Sequence, residues 1–108
     1  MQGTRLSGQE YTITEMLADG KERYGLEMVK KSNGKLGRAS VYVVLTRMVA
    51  HGLLEARFER DDEQKMAGPK RRLYKLTGYG RKVYEAQLAA EQATARVMRG
   101  VLKPAGSM

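Results

Sequence analysis

The chain has 108 residues, with 20 Lys and Arg against 12 Asp and Glu, a formal net charge of +8 and an isoelectric point near 9.9. That length fits one domain with a modest core that a partner subunit would help to bury, and that charge favours a polyanionic partner over a cationic one. With 0 cysteines there is no disulfide framework, thiolate metal site or thiol nucleophile; with neither a signal-peptide core nor an apolar run of about 20 residues, the chain is expected to be soluble and cytoplasmic.

Ser7 and Glu10 have the spacing of a capping box, in which each side chain satisfies a backbone donor at a helix start. The first helix is therefore expected over 8–18, with Ile13, Met16 and Leu17 on one inward stripe and Asp19-Gly20 as its stop. A second helix is expected over 24–31, with Leu26 and Val29 inward and Lys30 and Lys31 near its end, where cations suit the dipole. Ser32-Asn33-Gly34 breaks it. A third helix over 38–51 buries Val41, Val44, Leu45 and Met48 and presents Arg38, Tyr42, Val43, Thr46 and Arg47 on its opposite face.

The period then changes to two. Leu54, Ala56 and Phe58 alternate with Glu55, Arg57 and Glu59, which predicts a half-buried strand. A loop from Asp61 to Pro69 leads to a return strand over Arg71 to Leu76, with Tyr74 and Leu76 on one face. Thr77 suits the N-cap of a long helix over 78–99. On that helix Tyr79, Val83, Ala86, Ala90, Ala93 and Val97 recur at alternating steps of four and three, a heptad seam for a second copy of the chain; the competing reading is that the helix packs on its own domain. The fold class is mainly α with a two-stranded β-wing. Residues 1–77 form a winged helix-turn-helix, 78–102 a dimerisation helix and 103–108 a disordered tail.

An α-helix about 10–12 Å across fits the major groove of duplex DNA, and its N-terminal residues are those that reach base edges. Arg38 and Ser40 stand at that end of the third helix, and the planar fork of Arg38 matches the O6 and N7 acceptors of guanine. Tyr42 and Thr46 follow one and two turns on, within reach of phosphates or a thymine methyl, and Arg47 suits a phosphate. After the turn-forming Gly68-Pro69 pair, Lys70, Arg71 and Arg72 offer three cations to a phosphate track or the minor groove. No acidic residue interrupts the basic stretch between Gln64 and Tyr84, whereas Glu59, Asp61, Asp62 and Glu63 cluster just before it.

Enzymatic readings find little to stand on. The single histidine, His51, has no nucleophile or carboxylate pair near it in sequence, and no phosphate-binding loop of the GxxxxGK[ST] or GxGxxG kind is present. The acidic cluster reads more simply as a solvated loop than as a cation site. Neither cofactor nor metal is expected.

Taken in order, several segments resemble the PadR family of winged helix-turn-helix transcriptional regulators. They are Tyr24-Gly25-Leu26-Glu27, the run Ser40-Val41-Tyr42-Val43-Val44-Leu45-Thr46-Arg47-Met48, His51-Gly52-Leu53-Leu54, and Gly68 through Thr77 with Gly80. The resemblance spans about Ile13 to Lys82. It implies a homodimer joined through the C-terminal helix, with two recognition helices on a palindromic operator and DNA contacts from Tyr42, Arg47 and the wing cations. It also implies repression released by a small-molecule effector. Val43 stands where many members carry proline, a single C-terminal helix matches the short subfamily, and there is no tryptophan of the kind that stacks planar drugs at the dimer centre of some short members. The expected function is that of a sequence-specific DNA-binding regulator; the alternative is a winged-helix module that docks on protein or RNA without reading a promoter.

Overall fold

The computed structural model describes residues 5–102; the expected tail at 103–108 lies outside them. Its elements are α1 (Gly8–Met16), β1 (Arg23–Tyr24), α2 (Gly25–Lys31), α3 (Val41–Ala50), β2 (Leu54–Phe58), β3 (Arg72–Leu76) and α4 (Gly78–Leu102). The capping box forms: the Glu10 amide donates to Ser7 Oγ at 3.3 Å and the Ser7 amide to Glu10 Oε1 at 2.8 Å. Ile13 and Leu17 are fully buried, while Met16 packs at the edge of the core. The helix stops short of the expected Ala18, and the chain turns away through Gly20 at φ 82°, a conformation open to glycine.

Residues 23 and 24 form a strand rather than the start of a helix. β1 pairs antiparallel with β3, Arg23 opposite Tyr74 and Tyr24 opposite Leu73, so the wing belongs to a three-stranded sheet in the order β1-β3-β2 instead of standing alone as two strands. A two-residue strand carries no period to detect. α2 starts one residue later than expected, where the Glu27 carboxylate accepts the Tyr24 amide at 3.2 Å. Its fully buried side chain is Met28; Leu26 and Val29 are only half-buried.

α3 buries Val41, Val44, Leu45 and Met48, as its spacing requires. It begins at Val41, not Arg38: residues 38–40 form a turn, closed where the Gly37 carbonyl accepts the Val41 amide at 3.0 Å. At the other end His51 is the C-cap and Gly52 takes φ 76°. The Gly52 amide then reaches the Val49 carbonyl at 3.0 Å and the Leu53 amide the Met48 carbonyl at 2.9 Å, the paired bonds that satisfy the last free carbonyls of a helix.

β2 and β3 pair from Leu54 opposite Leu76 to Phe58 opposite Arg72. The expected alternation holds at Leu54 and Ala56 and then inverts. Phe58 is 62% exposed, outside the core cluster, while Glu59 is 2% exposed. The reason is polar: donors from two other segments converge on the Glu59 carboxylate, and a carboxylate supplied with hydrogen bonds can be covered.

Thr77 caps α4 through the Gly80 amide, 2.9 Å from its Oγ1. The first turns of α4 lie on the domain, with Val83 and Tyr84 against the core and the Tyr84 ring 5.3 Å from that of Tyr11. Gln87 clamps the backbone of Leu6, accepting its amide at 2.8 Å and donating to its carbonyl at 3.3 Å. From Ala89 to Val101 every residue is exposed. The helix projects, and the principal extents are 65 × 32 × 23 Å.

Candidate nucleic-acid interface

The outer face of α3 is open. Tyr42 is 45% and Val43 58% exposed, Thr46 and Arg47 are exposed beside them, and Arg38 is exposed on the turn before the helix; Ser40 is half-buried. Neither the Arg38 nor the Arg47 side chain has an ion pair or hydrogen bond with another described residue. The Tyr42 ring lies over Gly25, where an added Cβ would come within 2.8 Å of Cε1. The glycine lets the start of α2 approach the outer face of α3.

The three wing cations divide into different roles. Lys70 forms an ion pair with Asp61 across the wing loop. Arg71 is anchored at its backbone and its side chain: its amide donates to Glu59 Oε1 at 2.9 Å, its Nε lies 3.6 Å from the same oxygen, and its guanidinium sits 4.0 Å above the Tyr24 ring. Arg72 has no carboxylate partner among the described residues and lies 5.6 Å and 5.7 Å from the rings of Phe58 and Tyr74. Sequence segregation of charge is thus not spatial segregation, because the acidic cluster folds back onto the basic stretch and neutralises part of it.

Glu59 is the residue that pins this arrangement. Besides the Arg71 amide, it accepts the Tyr24 hydroxyl at 2.9 Å. The Arg71 amide bond, with help from the Tyr24 hydroxyl and the Arg71 charge, holds its carboxyl below the usual carboxylate range, and the same contact raises the Tyr24 phenol. On the other side of the wing, Arg57 Nε and Nη2 donate to Glu22 at 2.7 and 2.8 Å, while Nη1 and Nη2 donate to Glu63 at 2.8 Å each. The Arg57 guanidinium and the Arg60 amide hold the Glu63 carboxyl down at about 2. The wing loop is thereby tied to the segment preceding β1.

Between α2, α3 and the wing lies a cleft of about 700 Å³, lined among others by Tyr42 and Thr46 of α3, Arg71 and Arg72 of the wing, and Lys30 and Lys31 of α2. Tyr42 and Thr46 from one expected DNA-contact set and Arg71 and Arg72 from the other therefore share one concave surface, whereas Arg38, Ser40, Arg47 and Lys70 do not line it. Sequence position alone gives Lys30 and Lys31 a helix-dipole role; the structure adds them to this surface, and only the packing of α2 against α3 reveals it. Among the described residues no cluster of His, Cys, Asp or Glu is arranged to hold a metal ion. No helix among them is long and apolar enough to cross a membrane.

Along α4 the heptad positions separate. Val83 packs on its own domain, whereas Tyr79 is 49% exposed and Ala86, Ala90, Ala93 and Val97 are all exposed. The first turns of the helix serve the domain, and the rest of the seam is open to solvent.

A protein-family model, the transcriptional regulator PadR-like family, matches residues 13–86. The chain belongs to the PadR-like family. Among solved structures, a PadR family transcription regulator from Clostridium difficile R20291 is similar over 89% of this chain and 99% of its own, with a TM-score of 0.73 and 23% identity. A PadR-like transcriptional regulator from Bacillus cereus ATCC 14579 is similar over 88% of this chain and 91% of its own, with a TM-score of 0.69 and 24% identity. At such identities the likeness is one of fold. Comparison with curated proteins gives no match. The PadR-like match takes in α2, α3 and both wing strands, the segments that build the surface described above, together with the root of α4.

Proposed function

We propose that this PadR-like regulator binds a palindromic operator as a homodimer and represses transcription from it. The observation that carries the reading is the single surface shared by Tyr42 and Thr46 on α3 and by Arg71 and Arg72 on the wing. A recognition helix in the major groove needs its neighbouring wing on the flanking backbone, and a shared surface of helix and wing supports that docking. Arg38 and Ser40, on the turn leading into α3, address base edges, with Arg38 on a guanine. Tyr42, Thr46 and Arg47 lie farther along the groove wall. Arg72 and Lys30, without carboxylate partners among the described residues, take phosphates, and Lys31 adds to them. Lys70 and Arg71 contribute charge while tied to Asp61 and Glu59.

The dimer forms along the exposed part of α4. Ala86, Ala90, Ala93 and Val97 are open there, and small side chains allow two helices to approach closely; Tyr79 and Val83, nearer the domain, flank the crossing. The test is fluorescence anisotropy with the DNA upstream of the protein's own reading frame against random duplex, over a range of salt. Tight binding to the upstream DNA, with log affinity falling linearly as log salt rises, is the expected result. Equal and weak affinity for both duplexes would favour a winged-helix module that docks on protein or RNA.

A further inference from the structure

We propose that Phe58 is a DNA-contacting residue, its ring packing against the apolar edge of a deoxyribose at the flank of each half-site while Arg72 beside it takes the adjoining phosphate. The inference rests on the DNA-binding role proposed above and adds to it a contact that no charged or polar side chain supplies. A single exposed apolar side chain is ordinary on a protein surface; the setting of this one is not. Phe58 is the last residue of β2 and stands opposite Arg72, the first of β3. Side chains alternate across a sheet, so Phe58 shares its face with Leu54 and Ala56, and with Arg72, Tyr74 and Leu76 of the paired strand. Leu54, Tyr74 and Leu76 are buried and Ala56 packs against the core. Tyr74 also lines the cleft together with Tyr42 and Thr46 of α3. That face of the wing therefore looks towards α3. Phe58, 62% exposed and outside the core cluster, continues it past the core.

The surroundings of the ring select a polyanion that also carries apolar surface. The Arg72 guanidinium lies 5.6 Å from the Phe58 ring centroid and has no carboxylate partner among the described residues. Glu59, next along the chain, is committed elsewhere: it is 2% exposed and accepts the Arg71 amide and the Tyr24 hydroxyl at 2.9 Å each. Arg57, on the opposite face of β2, holds Glu22 and Glu63 to itself. An unpaired cation thus stands beside an uncovered ring. A free inorganic anion would satisfy Arg72 and leave the ring in water. In a duplex each deoxyribose presents C–H groups between two phosphates, so one nucleotide meets both demands, its phosphate on the guanidinium and its sugar on the ring. An Arg72 side chain already resting near the ring also loses less freedom when it docks.

Phe58→Ala, Phe58→Tyr and Arg72→Ala are compared with the unsubstituted chain by anisotropy on the DNA upstream of its reading frame, over a range of salt. Phe58→Ala should raise the dissociation constant about tenfold at every salt concentration, the loss expected when part of a phenyl ring is no longer covered. The slope of log affinity against log salt should stay as it was, because an apolar contact releases no counterion. Phe58→Tyr keeps the ring and should bind as the unsubstituted chain does, whereas Arg72→Ala should flatten the slope by about one unit. Hydroxyl-radical cleavage reads the exposure of individual deoxyriboses. A flanking sugar of each half-site should be protected by the unsubstituted chain, open with Phe58→Ala and protected again with Phe58→Tyr. Unchanged affinity in Phe58→Ala overturns the contact, as does a cleavage pattern that Phe58→Ala leaves intact. A slope flattened in Phe58→Ala as in Arg72→Ala also overturns it, and makes the ring a support for Arg72 alone. If the unsubstituted chain binds no duplex, the DNA-binding role falls and this inference with it, an outcome that its own titration separates from the others.

Discussion

Replacing Gly80 by alanine sets two physical effects of opposite sign against each other. Alanine favours a helix over glycine by about 1 kcal/mol, and Gly80 lies in the first turn of α4. A Cβ at this position would stand 2.1 Å from the Leu53 carbonyl oxygen and 2.9 Å from Leu76 Cδ1, below the 3.0 Å that real Cβ atoms respect. The carbonyl cannot swing aside freely, because it accepts the Thr77 amide at 3.1 Å and the Thr77 hydroxyl at 3.1 Å. The root of α4 must therefore move outward by roughly 1 Å, an overpacking change that costs about 3 kcal/mol. After the propensity gain, the net destabilisation is about 2 kcal/mol, or a melting temperature lower by about 8–16 °C. Gly100, also in α4, has nothing within 4 Å of an added Cβ, so Gly100→Ala should be neutral or stabilising by up to about 1 kcal/mol. Thermal unfolding followed by circular dichroism compares the two variants; a Gly80→Ala protein as stable as Gly100→Ala would refute the close-approach argument.

Other substitutions test the division of labour on the surface. Arg38→Ala should relax base choice at one position in each half-site at a cost of about 1–3 kcal/mol, whereas Arg72→Ala should weaken binding to all duplexes alike and flatten the salt slope by about one unit; anisotropy on a panel of single-base operator variants separates the two outcomes, and identical behaviour would contradict the assignment. Ala90→Glu places like charges across the seam and should shift the protein from dimer to monomer in sedimentation at micromolar concentration, with the circular dichroism of the domain retained. The Glu63 carboxyl, held at about 2 in the folded chain against an ordinary 4.5, is a depressed acid. Its contribution to stability is fully present above pH about 4.5 and lost as pH falls towards 2. Glu63→Gln should lower stability at neutral pH and flatten the acid limb of a pH titration of melting temperature; an unchanged acid limb would show that the Arg57 network carries no linkage.

Much of the fold is local enough to read in sequence. The Ser7–Glu10 box, the buried stripe of α3, the glycine stop at Gly52 and the Thr77 cap each lie within a few residues, and each forms. What sequence reading missed is held together by contacts distant along the chain. β1 exists because β3 lies beside it, and Glu59 is buried because Tyr24 and Arg71 bring their donors to it across 35 and 12 residues. An alternating pattern places Phe58 inside only on a flat continuation of the core face; the pull of those donors on Glu59 inverts it. Sequence alone starts α3 three residues early because Arg38-Ala39-Ser40 has no helix-breaking residue, whereas the backbone closes a turn there first. For the candidate surface, residue types and their order pointed to α3 and the wing, but their convergence with Lys30 and Lys31 on one cleft depends on how α2 packs.

Footprinting of the full chain on the DNA upstream of its own reading frame tests the central claim most directly. The account predicts protection of two inverted half-sites centred about one helical turn apart, roughly 34–36 Å, with Arg38→Ala blurring the pattern at one base position in each half. Protection without two-fold symmetry, or none beyond that on random duplex at physiological salt, would contradict it.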